Sequence, residues 1–378
     1  ALGFDSFLKD KSKFKNFIPS LLISSLLLIL LVTSFSSTVF PQESTINTQL
    51  VARRNLIVPL FTIFTLSIVF ILKVFNVSGK IIIGLIFLIT TLELFRFGSK
   101  FISFSKISWI FPQTETTKFL ASRDKPFRIL STDRRIMHPN ISSVYGVESV
   151  DGYDPLYLLN YNQLVSAWQS NNQNAVPGAF NRIVTPQKYD SPIANLLNVR
   201  YILTFDELTN QNFKKVHQEG QTKVYENLKA LPRAYFTQEV VKVSSQSDEL
   251  SHLLDPNFDI AKTAVSRQFA VPKIQDVASV SIASYDDQSI ILKTSTVSPS
   301  PLIIANVNFP GWQAYIDGQK TPIREANYLF QSIIVPQGDH QVELKFQPKS
   351  FYNGLYLSII GLVSTILTSI ILWKKKFQ

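Results

Sequence analysis

The sequence predicts a membrane protein: α-helical transmembrane spans joined to an extracytoplasmic α/β subdomain and a β-sandwich subdomain. Three observations predict it. Apolar runs cluster in the first hundred residues and return at the C-terminus, where Leu355–Trp373 holds no charged residue. A run of that length crosses a bilayer. It ends on Lys374, Lys375 and Lys376, and lysines beside a span stay cytoplasmic, which puts the preceding domain outside. Between the apolar ends, from Ser99 to Phe351, the composition is that of a globular domain whose second half is strand-rich.

Taken in order, residues 1–97 hold three spans, about Phe17–Phe35, Leu56–Phe75 and Ile81–Phe97. Lys9–Lys15 followed by Leu21–Val32 has the charged and apolar parts of a signal peptide but no A-x-A-like cleavage site, so it reads as a first span. Ser36–Asn55 is then an outer loop carrying Arg53 and Arg54, and Asn76–Lys80 is a tight inner turn. With a fourth span in residues 352–378, both chain ends are expected on the cytoplasmic side.

Residues 98–233 mix helix and strand. Thr114–Ser122 reads as helix, Phe127–Thr132 as a strand and Asn198–Thr204 as a buried strand. Asp154 and Pro155 have the form of an N-cap and first helical residue, opening a helix through Trp168. Gln169–Pro177 is polar and reads as a loop. Residues 234–351 are the predicted sandwich. Phe236–Val243, Ala278–Ser284, Ser289–Thr296, Leu302–Asn308, Trp312–Ile316 and Tyr328–Val335 are strand-like runs between turn residues. Asp317-Gly318 suits a type I′ turn, since both central positions need positive φ. In His340–Gln347 the apolar Val342, Leu344 and Phe346 alternate with polar residues, the period of a half-buried strand.

Composition excludes several classes. The net charge is +10, yet many lysines flank apolar runs, where they orient spans. No nucleic-acid motif accompanies them, so no nucleic-acid partner is expected. With no cysteine, disulfides and thiol chemistry are excluded. The four histidines are scattered without metal-ligand spacing, so no metal is expected, and no nucleophile-elbow or nucleotide-binding motif occurs.

Candidate ligand-binding residues follow from charge and aromaticity. Glu93 lies in the third span with Arg96 one turn on; an acid there is costly enough to count as a site candidate, with interfacial anchoring and an i+3 pair as the favoured reading. Asp151, beside Tyr153 and Asp154 in YGVESVDGYDPL, has the form of an acid–base carboxylate pair, though turn and cap roles account for it more simply. Trp312, with Tyr315 and Tyr328, has the chemistry of a platform for sugar rings; packing is the favoured alternative.

Three segments together carry a resemblance. LELFRFG leads into WIFPQTETTKFL; PFRIL is followed by NISSVYGVESVDGYDPL; and FPGWQAYIDGQKTPIREANYLFQSIIVPQGDHQVELKFQPKSF precedes the last span. In this order they resemble the C-terminal portion of the bacterial YfhO-like membrane proteins, over roughly residues 80 to 376. The resemblance implies a glycosyltransferase of the GT-C type, moving sugar from a polyprenyl-phosphate-linked donor onto an envelope polymer such as lipoteichoic acid. No cofactor is identified in the sequence, and that lipid-linked sugar is the donor substrate the resemblance implies. In such enzymes a catalytic acid sits in the first outer loop of a chain with many more spans. Here Ser36–Asn55 offers only Glu43. The chain therefore reads as the non-catalytic C-terminal part of a longer protein, with no catalytic residue to assign. The alternative is a membrane-anchored scaffold or glycan-binding protein without enzymatic activity.

Overall fold

The computed structural model describes residues 18–33, 48–102, 104–177, 182–275 and 278–376. The chain divides into two units, residues 1–110 and 111–378. In the first, helices α1 (Ile18–Thr33), α2 (Thr48–Val74) and α3 (Gly79–Phe101) are followed by the one-turn α4 (Ile107–Ile110). Arg53–Lys73 and Gly79–Phe101 are long and apolar enough to cross a membrane; at 1.5 Å per residue each spans about 32–35 Å. The described part of the predicted first span is a 16-residue apolar helix, and both ends of that prediction lie outside the described residues. Arg53 and Arg54, expected in a loop, stand on α2, which begins at Thr48. The turn between α2 and α3 contains Asn76 at φ 56°. Side chains such as Phe61, Phe64, Phe87 and Phe95 are exposed along these helices, a surface suited to lipid and costly in water.

The second unit begins with α5 (Glu115–Ala121). Thr114 accepts from the Thr117 amide in a capping box, and the Glu219 carboxylate takes the Glu115 and Thr116 amides at 3.1 and 2.7 Å. Those donors have no intrahelical partner, so the N-terminus is satisfied from outside. A mixed sheet follows in the order β2-β1-β5-β7-β6, built from β1 (Arg128–Ser131), β2 (Glu148–Ser149), β5 (Val199–Thr204), β6 (Phe213–Glu219) and β7 (Thr222–Asn227). Strands β1, β2 and β5 run parallel; β7 is antiparallel to β5 and β6. The short β3 (Gly152–Tyr153) and β4 (Ile183–Val184) pair with each other.

The predicted helix at Asp154 is corrected by the structure. Asp154 Oδ1 takes the Leu156 amide at 2.8 Å in a turn, while its own amide donates to Arg182 O. Helix α6 (Leu159–Ser170) opens only at Leu159, without a side-chain cap. The cap-like Asp-Pro pair serves a turn that leads out of β3. By contrast α7 (Pro192–Leu196) has the signature in full, with Ser191 as N-cap and Pro192 at the first position.

The strand expected over Phe236–Val243 is two. β8 (Ala234–Phe236) joins one sheet; β9 (Glu239–Lys242) pairs in parallel with β10 (Thr263–Ser266), across α8 (Gln246–Leu254). Thr237 and Gln238 make the transfer, bonding to Lys262 O through Oγ1 at 2.6 Å and the amide at 2.8 Å.

Two antiparallel sheets complete the unit. One has five strands in the order β11 (Ala278–Tyr285), β12 (Ser289–Thr296), β18 (Gly338–Phe346), β14 (Trp312–Ile316), β15 (Gln319–Thr321). The other has four: β16 (Arg324–Ala326), β17 (Phe330–Val335), β13 (Ser300–Val307), β8. Asp317 and Gly318 join β14 to β15 at φ 49° and 80°, the two positive values expected of that turn.

β13 organises the packing. It is buried from Ser300 to Ala305 without alternation, as a strand covered on both faces must be. Leu302 and Ile304 join Ile290, Leu292, Val342 and Leu344 of the five-stranded sheet in one apolar cluster. Ile303 and Ala305 face a second cluster, with Leu130, Trp168 and Ile202 of the mixed-sheet half. That second cluster draws on both sides of the boundary placed at residue 233 by composition. A third, including Leu120, Phe127 and Tyr201, lies under α5. The unit ends in α9 (Lys349–Lys376), a third helix long and apolar enough to span.

Candidate functional site

Arg128 opens β1 and Glu148 opens β2, and parallel pairing puts them directly opposite. Arg233 precedes β8 and Tyr285 ends β11, so three sheets bring four polar side chains to one place. Arg233 Nη1 donates to Glu148 Oε1 and Oε2 at 3.1 and 3.0 Å and to the Tyr285 hydroxyl oxygen. The Tyr285 hydroxyl donates to Glu148 Oε1 at 2.9 Å. Arg128 Nε lies 3.3 Å from Glu148 Oε2, while its Nη1 holds the carbonyls of Leu197 and Ala305. Arg233 is 1% exposed. A charge so buried needs a partner, and Glu148 supplies it.

The electrostatics follow from burial. Desolvation pushes the Glu148 carboxyl up, but Arg128 and Arg233 and the bonds from Arg233 and Tyr285 outweigh it and hold it below its usual range. Burial pushes the Tyr285 hydroxyl up to about 12. Desolvation, with Arg128 nearby, lowers Arg233, which stays charged because guanidinium starts so high.

This network braces a cleft of about 960 Å³. One wall runs over Lys125–Arg128 and part of Asn140–Asp151; the other is the end of β11 and its turn, Ile282–Asp287; Ala305, Val307 and Phe330 also line it. Asp151 lines it too. Burial raises its carboxyl above the normal range, and Oδ1 is shielded from solvent without a hydrogen-bond partner. Lys125 and Arg128 are outnumbered there by the carboxylates of Glu148, Asp151, Asp286 and Asp287. Among the described residues, no group of three or more acids and histidines is arranged to hold a metal.

The residues singled out in sequence do not form one site. Asp151 enters the cleft. Tyr153, two residues on, is 43% exposed and is tied through its backbone to the Asn140 side chain. Glu93 belongs to the helical unit, where it accepts from the Thr62 hydroxyl of the neighbouring helix. Among the described residues no ion pair joins it to Arg96, so the expected i+3 pair is replaced by a contact between α2 and α3. Tyr328 does not join an aromatic platform: it is 1% exposed within the core, its hydroxyl donating to Gln163 Oε1 at 3.0 Å. Trp312 packs on Phe346, ring centroids 5.4 Å apart, and on the cluster between the two antiparallel sheets, while one side lines a shallow groove.

Trp312 also marks the junction with α9. Gly311, at φ 121°, accepts from the Gln347 amide at 2.7 Å, and a Cβ there would lie 2.8 Å from Phe346 Cε2. The sequence FPGW is thus the point where strand β14 meets the root of an apolar helix. Residues 273–358 match the family model for the bacterial membrane protein YfhO. The YfhO match covers β11 to β18 and the start of α9, including this junction and the Ile282–Asp287 wall of the cleft. The other wall and the helices of the first unit lie outside it. No curated protein and no solved structure matches the chain.

Sequence reasoning missed Glu148, Arg233 and Tyr285. Glu148 and Tyr285 are 137 positions apart and Arg233 lies 85 from Glu148, so no local spacing announces them. One signal was present: Arg233 directly abuts the apolar Ala234-Tyr235-Phe236. A charge at the start of a buried strand calls for a distant counter-charge.

Proposed function

We propose that this chain is the membrane-anchored, extracytoplasmic accessory part of a glycosyltransferase-like protein acting on cell-envelope polymers, with the catalytic residues elsewhere. The observation that carries it is the YfhO match across a strand-rich domain that continues directly into an apolar helix. In this reading the two antiparallel sheets are a β-sandwich on the outer face, and Lys374–Lys376 face the cytoplasm. The donor is a polyprenyl-phosphate-linked sugar and the acceptor an envelope glycan or lipoteichoic acid. Transfer itself needs a carboxylate base beside the acceptor hydroxyl. Glu148 is consumed by two arginines and a tyrosine, which suits a brace and not a base.

The test is made in the source cell. Removing residues 111–348 from the encoded protein should abolish sugar decoration of the affected polymer, read by chemical analysis of purified envelope. Unchanged sugar content overturns the reading. The cleft favours a second reading, a non-enzymatic glycan-binding protein. It expects unchanged decoration together with retention of the full chain on isolated envelope.

A further inference from the structure

We infer that the cleft between the mixed sheet and the β11–β12 hairpin is a binding site for a neutral, hydroxyl-rich ligand, a sugar ring or a polyol. The inference deepens the reading above and rests on it only for the ligand's source. Its support is the hydrogen-bond inventory of the walls.

The donors at the cleft are largely used. Arg128 Nη1 is spent on two carbonyls, Lys125 Nζ on Gly146 O, and the Tyr161 hydroxyl on Val150 O. The acceptors are not. Asp151 Oδ1 has no partner. On the opposite wall Asp286 turns one oxygen to the Gln288 and Ser289 amides, and Asp287, at the hairpin tip, accepts nothing among the described residues. Such a lining needs a ligand that brings donors. Glu148 is already paired with Arg128 and Arg233, but Asp151, Asp286 and Asp287 make no ion pair among the described residues, and their charge repels phosphate. Among the described residues no group of three or more acids and histidines is placed to hold a metal ion. Vicinal hydroxyls fit: each donates to a carboxylate oxygen, and an apolar C–H face can lie on the half-buried Val307, which also lines the cleft.

Asp151 makes the inference testable, because an unsatisfied buried acceptor costs stability in the unliganded protein. A residue kept for structure loses stability when replaced; one kept for a ligand does not. The full chain in detergent is titrated with glucose, N-acetylglucosamine and glycerol, and with inorganic phosphate and tetramethylammonium as charged controls. Saturable binding of a sugar or of glycerol is expected, the two separating ring from polyol. Asp151→Ala should weaken it about tenfold, the worth of one charge-assisted hydrogen bond, without lowering the melting temperature. Asp287→Ala, on the exposed turn, should also weaken it, and keeps the test decisive if Asp151→Ala fails to fold. Absence of saturable sugar and polyol binding overturns the site, as does tighter binding of either charged control. So does binding lost in Trp312→Ala but kept in both aspartate variants. Failure of the site leaves the proposed function standing if removal of residues 111–348 still abolishes decoration. Unchanged decoration sinks that reading whatever the cleft binds.

Discussion

Arg233 has its guanidinium buried among apolar strands, and its tolerance there depends on one carboxylate 85 positions away. Replacing Glu148 by Gln keeps the shape and removes the counter-charge. The expected loss is roughly 2–3 kcal/mol, below the value for a fully buried pair because the Glu148 side chain is 39% exposed. A double variant, Glu148→Gln with Arg233→Met, should recover much of it, since the stranded charge is gone; denaturant unfolding of both variants decides. The pH dependence has a definite sign. The folded-state carboxyl is lowered from its ordinary 4.5, so its contribution is present above about 4.5 and lost as pH falls through the lower folded value. Stability that rises on acidification through that window would contradict the assignment.

At the scale of elements, β13 and the β14–α9 junction carry the design. β13 serves two cores because its successive residues point to opposite faces, Leu302 and Ile304 one way, Ile303 and Ala305 the other. The junction depends on Gly311, whose φ of 121° and closeness to Phe346 and Pro348 leave no room for a side chain. Gly311→Ala should therefore destabilise the domain by about 1–3 kcal/mol and speed proteolysis around Gln347. A melting temperature equal to that of the parent chain would show that the junction relaxes freely. Asp154 carries the opposite lesson: its sequence context is that of a helix cap, and strand pairing at Tyr153 and Ile183 turned it to a different use.

For the whole molecule, three helices long and apolar enough to span, with phenylalanines exposed along them, predict that the chain behaves as an integral membrane protein. It should stay with the membrane pellet in alkaline carbonate and leave it only in detergent. Release by carbonate alone would mean those faces are covered by protein and not by lipid.

What the sequence determined by itself is local. Hydrophobic length marked Leu355–Trp373, period-two alternation marked β18, and paired turn residues marked Asp317-Gly318, because each depends on neighbours within a few positions. The YfhO resemblance was legible for the same reason, in a compact run around FPGW. Tertiary structure alone decided that Phe236–Val243 divides between two sheets, that Tyr328 is core, and that Glu148, Arg233 and Tyr285 converge beside Asp151. Those outcomes depend on which sheets stack and where a buried charge finds its partner. Such contacts join residues far apart in the chain, where spacing carries no signal.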